Sequence, residues 1–211
     1  MRQKKSVEAH MKTKLGRPSI SDAKRRQMRE KIASSAHGLF RAEGYGQVSM
    51  RRIANDVGCS PMTLYKYYDA KIDILKTLWA DVIGELFDQL EAVDANGLTP
   101  QARLTLLAST YVDYWLDHSE HYRLVFMADG VTQPDVGLFL DNPEIVARYQ
   151  VFAVAISETI GELSADALKL KLDSLICLLH GIAHNLITIS GYQWSAAHDL
   201  VAHTMRAIID A

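Results

Sequence analysis

The sequence predicts an all-α fold, in which a three-helix helix-turn-helix head at the N-terminus precedes a larger C-terminal helical domain. Apolar residues recur at intervals of three and four along most of the 211-residue chain, and no stretch of useful length alternates with a period of two. Serine, glycine and proline also stand where helices begin and end. The chain is 48% hydrophobic, which suffices for a substantial core.

Capping signals divide the N-terminal part into an arm and four helices. Residues 1–20 are polar and basic and show no period, so we expect a flexible basic arm there. The head is expected over residues 21–68 and a connecting helix over residues 69–92. Gly58 is expected to end the second helix in a left-handed conformation. The expected N-caps of the four helices are Ser21, Ser49, Ser60 and Asp69.

Residues 93–211 are expected to form the second domain. A turn-rich break opens it, and a Gly- and Pro-containing loop is expected over residues 129–142. The expected helices are Pro100–Leu116, Ser119–Met127, Pro143–Glu162, a helix capped by Ser164 that reaches Ser190, and a last one capped by Ser195 that reaches Ile209.

The charge is distributed unevenly between the two ends of the chain. The total is −2, but residues 1–76 hold 17 Lys or Arg against 7 Asp or Glu, a net charge of +10. The remaining residues hold 6 against 18, a net charge of −12. A basic end on an acidic body predicts a polyanionic partner for that end alone, although a solvated basic tail remains an alternative.

The second and third predicted helices are separated only by Gly58 and Cys59, as in a helix-turn-helix unit. The second helix of such a unit can enter the major groove of duplex DNA, so we expect the residues that read DNA between Ser49 and Lys71. Hydroxyl and amine groups there can bond phosphates or base edges. The expected DNA-binding residues are Ser49, Arg51, Arg52, Met62, Thr63, Tyr65, Lys66, Tyr67 and Lys71.

The same segment resembles the DNA-binding domain of the TetR family of bacterial transcriptional regulators over residues 27–87. The residues that carry the resemblance include Ile32-Ala33, Leu39-Phe40, Gly44-Tyr45, Ser49-Met50, Ile53-Ala54, Val57-Gly58-Cys59-Ser60, Thr63-Leu64-Tyr65, Tyr68, Lys71 and Leu75. In the C-terminal part, Leu179-His180-Gly181 is similar to a subclass marked by Trp-His-Gly, with Leu179 in place of Trp.

The resemblance implies a homodimer that places two heads on a near-palindromic operator and pairs through its last two helices. It also implies a small-molecule effector bound between the helices of the C-terminal domain, which shifts the dimer off DNA. From the residues alone, the apolar surface of the last two helices predicts either a dimer interface or burial within one subunit.

Aromatic residues and two histidines of the second domain are candidates for the effector pocket, with ordinary core packing as the alternative. His180 and His184 stand four residues apart, a spacing that can bind a metal, but a pocket or structural pair is favoured and no metal or other cofactor is expected. The full candidate set is Tyr111, Tyr114, Trp115, Tyr122, Phe126, Tyr149, Phe152, His180 and His184.

The sequence thus favours a ligand-responsive DNA-binding repressor over an enzyme, because no phosphate loop, nucleophile motif or catalytic array is apparent. A transcriptional activator, or a DNA-binding factor without a small ligand, remains open. Two cysteines far apart and no apparent signal peptide favour a cytoplasmic protein. The most apolar run, residues 172–190, contains Asp173, His180 and His184, so a membrane span is not expected.

Overall fold

A computed structural model describes residues 21–94, 96–132, 134–135 and 143–210. These residues form α-helices joined by turns and one short 3-10 helix, with no β-strand among them, which confirms the all-α prediction. The expected arm at residues 1–20 and much of the expected loop at residues 129–142 lie outside the described residues.

The helices are numbered in chain order. The 3-10 helix spans Tyr45–Gln47 and lies between the first two α-helices. The α-helices are α1 Asp22–Glu43, α2 Met50–Val57, α3 Pro61–Leu64, α4 Lys71–Glu91, α5 Pro100–Asp117, α6 Ser119–Phe126, α7 Pro143–Arg148, α8 Gln150–Ile160, α9 Ala165–Thr188 and α10 Ala197–Asp210.

Four predicted serine caps are confirmed. The hydroxyl oxygens of Ser21, Ser49, Ser60 and Ser164 each accept the N–H three residues ahead, at 3.4, 3.1, 3.1 and 3.2 Å. Gly58 ends α2 with φ 78° and ψ 35°, the left-handed conformation predicted for it. The turn that sets α3 against α2 therefore follows from local sequence.

Three boundary predictions are wrong. Asp69 does not cap α4: Ala70 occupies the N-cap, and Asp73 reaches back to accept the Ala70 N–H at 2.9 Å. The last helix begins at Ala197, and the Ala196 carbonyl rather than Ser195 opens its hydrogen-bond ladder. The helix expected over 143–162 is two helices, because Tyr149 turns between α7 and α8 while its ring packs edge-on against Phe87, with centroids 4.8 Å apart.

The head consists of α1, α2 and α3, and α4 packs against α1 on one side and α5 on the other. Helix α5 lies at the centre of the body, where α8, α9 and α10 all contact it. Buried apolar side chains from all parts of the fold, from Ile32 in α1 to Ile208 in α10, pack into one contiguous cluster. Head and body thus share one continuous core, and α4 carries it between them.

The long helix α9 leaves much of its apolar surface uncovered. It is long and apolar enough to cross a membrane by length and composition, which by itself is weak support for a span, and only 17% of its most apolar stretch is buried. Leu170 and Leu178 are 68% and 44% exposed. A groove of about 290 Å³ runs between α9 and α10, with Leu178, Gly181 and Trp194 in its wall.

Candidate nucleic-acid interface

The α2–α3 junction forms from residues that are buried at its centre and capped at both helix starts. Ile53, Ala54 and Leu64 are fully buried and form the apolar centre of the junction. The Cys59 N–H donates to the Ala54 carbonyl at 2.9 Å, which closes the C-terminus of α2. The Ser60 cap then starts α3 at once, so the two short helices are held at a fixed angle.

The outward side of α3 carries the residues predicted to read DNA. Met62 is 76% exposed and Tyr65 is 51% exposed, and Lys66 is also exposed. Thr63 and Tyr67 are both half-buried. Helix α3 proper ends at Leu64, and helical turn bonds continue it, from the Tyr65 N–H to the Pro61 carbonyl at 3.0 Å and from the Tyr68 N–H to the Leu64 carbonyl at 3.2 Å.

The two arginines of α2 differ in their surroundings. Arg52 makes a two-nitrogen contact with the Glu43 carboxylate at 2.9 and 3.2 Å, and its other amine lies 3.6 Å from Asp56. These intramolecular partners account for a cation in the first turn of a helix, where the helix dipole would otherwise oppose it. Arg51 is exposed and makes no ion pair or side-chain hydrogen bond with the described residues.

Lys71 lies under the loop that precedes α2 rather than on an open surface. Its ammonium donates to the carbonyls of Tyr45 at 2.6 Å and Val48 at 2.8 Å, and it lies 4.0 Å from the centre of the Tyr45 ring. Burial lowers the pKa of this amine from its usual value. Lys71 thereby positions the chain just before Ser49, and one of its three N–H groups remains for a phosphate.

Two cations of α1 that are absent from the sequence-predicted set also fasten the unit. Arg29 lies 4.0 Å from the centre of the Tyr68 ring and donates to the Tyr67 carbonyl, just after α3. Lys31 donates to the Val57 carbonyl at 2.9 Å, at the C-terminus of α2. Both cations lie near the C-terminus of a helix, where the helix dipole favours positive charge. The sequence of α1 does not predict these contacts, because they depend on where α2 and α3 lie.

The aromatic residues predicted to line an effector pocket pack mainly on one another. Tyr111, Tyr114, Trp115, Tyr122 and Phe152 are at most 2% exposed, whereas Tyr149 and Phe126 are half-buried. Trp115 meets Tyr114, Tyr122 and Phe126 edge-on, with ring centroids 5.1, 5.6 and 5.4 Å apart. These rings fill the space between α5, α6 and α8. They therefore form part of the hydrophobic core.

His180 and His184 converge on a tyrosine that is distant in the sequence. The Tyr122 hydroxyl lies 2.9 Å from His180 Nε2 and 3.0 Å from His184 Nδ1, and the Tyr111 hydroxyl lies 3.5 Å from His180 Nδ1. Burial raises the pKa of Tyr122 to about 12. Burial, and then the nearby His184, lower the pKa of His180. The pair thus forms a hydrogen-bonded cluster, and the described residues contain no group of three side chains fit for a metal.

One polar group in this cluster is poorly placed for hydrogen bonding. The Trp115 indole N–H is fully buried, and its neighbour for hydrogen bonding among the described residues is the Tyr111 hydroxyl, with which it makes no well-aligned bond. Two cavities lie nearer the head: one of about 580 Å³ has Arg25, Arg29 and His37 in its wall, and one of about 190 Å³ lies between the end of α1 and the end of α6. The residues that line these two cavities include none of the predicted pocket residues.

The head matches a known protein family. Residues 32–78 fit the family model described as bacterial regulatory proteins, tetR family. This segment begins inside α1 and ends inside α4, so it includes the complete helix-turn-helix unit and both of its caps. It does not reach Leu179–Gly181, so the Trp-His-Gly subclass stays a prediction.

Curated relatives match the chain over part of its length. The chain is 25% identical over 112 residues to the HTH-type transcriptional activator FasR of Mycolicibacterium smegmatis, which covers 53% of this chain and 51% of that protein. It is 27% identical over 89 residues to the HTH-type transcriptional repressor KstR of Rhodococcus jostii, which covers 42% of this chain and 39% of that protein. The chain therefore aligns with about half or less of either relative.

The architecture as a whole also has a solved counterpart. A bacterial regulatory protein of the tetR family from Rhodococcus RHA1 superposes with a TM-score of 0.60 at 17% identity, over 87% of this chain and 96% of that one. At that identity the likeness extends to the fold alone. Residues 32–78 thus match the tetR family model, and the chain shares its helical architecture with a solved protein of that family.

Proposed function

We propose that this protein is a DNA-binding transcriptional regulator, and most specifically a homodimeric repressor that a small-molecule effector releases from a near-palindromic operator. The observation that carries the DNA-binding part is the outward side of α3, where Met62, Tyr65 and Lys66 are exposed at the end of the chain with the excess of positive charge. A protein in water gains nothing from exposing large apolar side chains side by side unless another molecule covers them.

Within this face we assign two roles. Ser49, Arg51 and the remaining N–H of Lys71 position the head on the phosphates, together with the start of α2. Met62, Thr63, Tyr65, Lys66 and Tyr67 lie where the second helix of a helix-turn-helix unit faces the bases. Arg52 has partners of its own in Glu43 and Asp56, so we expect it to contribute less to DNA affinity than Arg51.

The exposed apolar side of α9 supports dimerisation. Leu178 and the groove between α9 and α10 offer an apolar surface on two helices that already pack against each other. A second copy of the same pair would cover it and give a four-helix interface with two-fold symmetry. Leu175, Leu179 and Ala183 of α9 are buried within the subunit, whereas Leu170 and Leu178 stay exposed, so part of the apolar surface is left for a second copy.

The effector is proposed to bind beside the aromatic cluster of the body. Support comes from the buried Trp115 N–H, which makes no well-aligned hydrogen bond, and from the half-buried His180 and Phe126 next to it, whose ring centroids lie 4.4 Å apart. A compound with an apolar body and one hydrogen-bond acceptor would satisfy the indole. Because the rings fill the space, we expect such a compound to displace at least one of them, which would couple binding to a change of shape.

Activation is the second candidate for the regulatory outcome. One relative is named an activator and the other a repressor, and the helix-turn-helix unit binds DNA in the same way in either case. The distinction depends on where the site lies relative to a promoter.

The DNA-binding proposal is tested by selecting duplexes from a random pool and measuring affinity for the enriched site at salt concentrations from about 50 to 200 mM. We expect an enriched near-palindrome and an affinity that falls linearly on a log–log plot, because bound cations release counterions from DNA. A protein that enriches no sequence and shows no dependence on salt would contradict the proposal.

The dimer proposal is tested with Leu178→Glu, compared with Leu98→Glu as a control of almost equal exposure, 44% against 43%. We expect the first variant to sediment as a monomer and the second as a dimer, since only Leu178 lies on the α9–α10 surface. A dimeric Leu178→Glu protein with an unchanged dissociation constant would contradict this interface.

A further inference from the structure

The outward face of α3 is poor in the groups that usually distinguish base pairs. Between Ser60 and Tyr68 the chain contains no arginine, asparagine, glutamine, aspartate or glutamate. Guanidinium and carboxamide groups are the common bidentate partners of guanine and adenine, and carboxylates accept from cytosine. Lys66 is the one charged side chain in this segment, and it can equally bond a phosphate.

Thr63 is less free to read a base by its hydroxyl than its sequence position suggests. Its hydroxyl oxygen lies 2.8 Å from the Ser60 hydroxyl, and its backbone N–H donates to the same Ser60 oxygen at 3.1 Å. The cap therefore engages one of the hydrogen-bonding positions of this hydroxyl, and the γ-methyl group offers an apolar contact beside it.

Met62 is the most exposed large apolar side chain in the described part of the chain, at 76%. It is the second residue of α3, next to Pro61. In helix-turn-helix complexes the N-terminal residues of the second helix contact base edges in the major groove. Neither a core contact nor a cavity within its own subunit explains a thioether at this place. Its long, unbranched and polarisable chain adapts readily to an apolar partner.

We infer that Met62 reads the 5-methyl group of thymine in the major groove, so that each operator half-site carries a thymine opposite α3. This inference rests on the proposed DNA-binding function and adds the specificity-determining contact to it. Thymine is the base whose groove edge carries an apolar group, and apolar side chains are its usual partners. With few bidentate polar readers on α3, methyl contacts become a main source of sequence discrimination.

Two exposed polar residues of α2 face a different part of the duplex. Arg51 and Asn55 lie on the first helix of the unit, which in helix-turn-helix complexes crosses the sugar–phosphate backbone. Arg52 is held by Glu43 and Asp56. These residues therefore set affinity and orientation, and they leave the reading of the central bases to Met62 and its neighbours.

The test replaces thymine with deoxyuridine, which removes the methyl group and keeps every hydrogen-bonding atom. The enriched operator is prepared with deoxyuridine at each half-site thymine in turn, and the dissociation constant is measured for the wild type, Met62→Ala and Leu98→Ala. Leu98 is exposed in the body and serves as the matched apolar truncation. Scrambled duplex of the same composition reports non-specific binding.

We expect one thymine per half-site whose replacement weakens wild-type and Leu98→Ala binding about fourfold for each methyl group removed. Met62→Ala should bind the thymine operator more weakly and be insensitive to deoxyuridine at that same position. Equal wild-type affinity for every deoxyuridine operator overturns the inference, as does a Met62→Ala protein that keeps the full methyl dependence. In both cases, preference for the operator over scrambled duplex leaves the proposed function intact, whereas loss of that preference would refute it.

Discussion

The head and the body of this protein are held together by different kinds of interaction. In the head, short helices are fastened by cations that bond backbone carbonyls at helix ends and in the loop before α2, as Arg29, Lys31 and Lys71 do. In the body, large rings pack edge-on around Trp115, with a cluster of hydroxyls and imidazoles among them. Hydrogen bonds from cations to backbone carbonyls thus help to fix the arrangement of helices in the head. The body is stabilised mainly by the packing of large apolar rings.

The largest expected effect comes from removing the central ring of the body. Trp115→Ala should lower the free energy of unfolding by about 3–5 kcal/mol, because it leaves a large cavity in a fully buried site. Denaturant titration measures the loss. Trp194→Ala, at a position that is 37% exposed, is the matched control and should cost much less. Similar losses for both variants would mean that the aromatic cluster is not the stabilising centre of the body.

The next effect concerns the polar cluster within that core. Tyr122→Phe removes the hydroxyl that faces His180 and His184 and should cost about 1–3 kcal/mol, because the half-buried ring of His180 loses a hydrogen-bond partner. Tyr65→Phe, which removes an exposed hydroxyl in the head, should leave the thermal midpoint unchanged while DNA affinity is measured separately. A Tyr122→Phe protein as stable as the wild type would show that the cluster contributes no net stability.

A smaller effect is expected from pH. Burial and His184 lower the pKa of His180, so the unfolded chain binds more protons than the folded one as the pH falls below about 6.5. Stability from this residue is therefore fully present above that pH and is lost on acidification. His180→Gln should flatten the dependence between about pH 7 and pH 5, whereas His203→Gln at an exposed position of α10 should retain it.

A second histidine, His37 in the head, also contributes to the pH dependence of stability. Burial, followed by the charges of His121 and Arg41, lowers the pKa of His37, while Glu120 opposes the shift. His37 therefore destabilises the fold in acid in the same direction as His180. A larger flattening from His37→Gln than from His180→Gln would move the acid-sensitive site from the body to the head.

The smallest effect separates the two arginines of α2. Arg52→Ala should cost at most about 1 kcal/mol of stability, because its ion pairs are exposed to solvent, 44% for the arginine itself. Arg51→Ala should leave stability unchanged and reduce the slope of log affinity against log salt by about two units for the dimer, because one phosphate per subunit is no longer neutralised. A larger change of slope for Arg52→Ala would mean that DNA breaks its pairs with Glu43 and Asp56.

Local features of this chain can be predicted from the sequence. The caps at Ser49 and Ser60, and the left-handed turn at Gly58, depend on interactions within three or four residues, so the residue types and their spacing are sufficient. Asp69 shows the limit of such rules. Asp73 competes for the same helix start from inside the first turn, and a local rule cannot decide between the two.

Contacts between distant segments cannot be predicted in this way. The four-residue spacing places His180 and His184 on one helix face, but the tyrosine between them stands 58 residues before His180. The sequence position of Lys71 predicts a phosphate contact, whereas the folded chain places this amine on two carbonyls 23 and 26 residues earlier. The edge-on contact of Tyr149 with Phe87 likewise joins two distant segments, and nothing near residue 149 points to it.

The sequence by itself determined the helical class, the helix-turn-helix unit and the basic end of the chain, because periodicity, capping and charge are properties of neighbouring residues. Tertiary structure alone decided which cations have partners within the subunit, since Arg52 lies beside the carboxylates of Glu43 and Asp56 whereas Arg51 has no ion pair among the described residues. It also decided that the aromatic residues of the body pack on one another, because packing depends on how α5, α6 and α8 approach, and on no single segment.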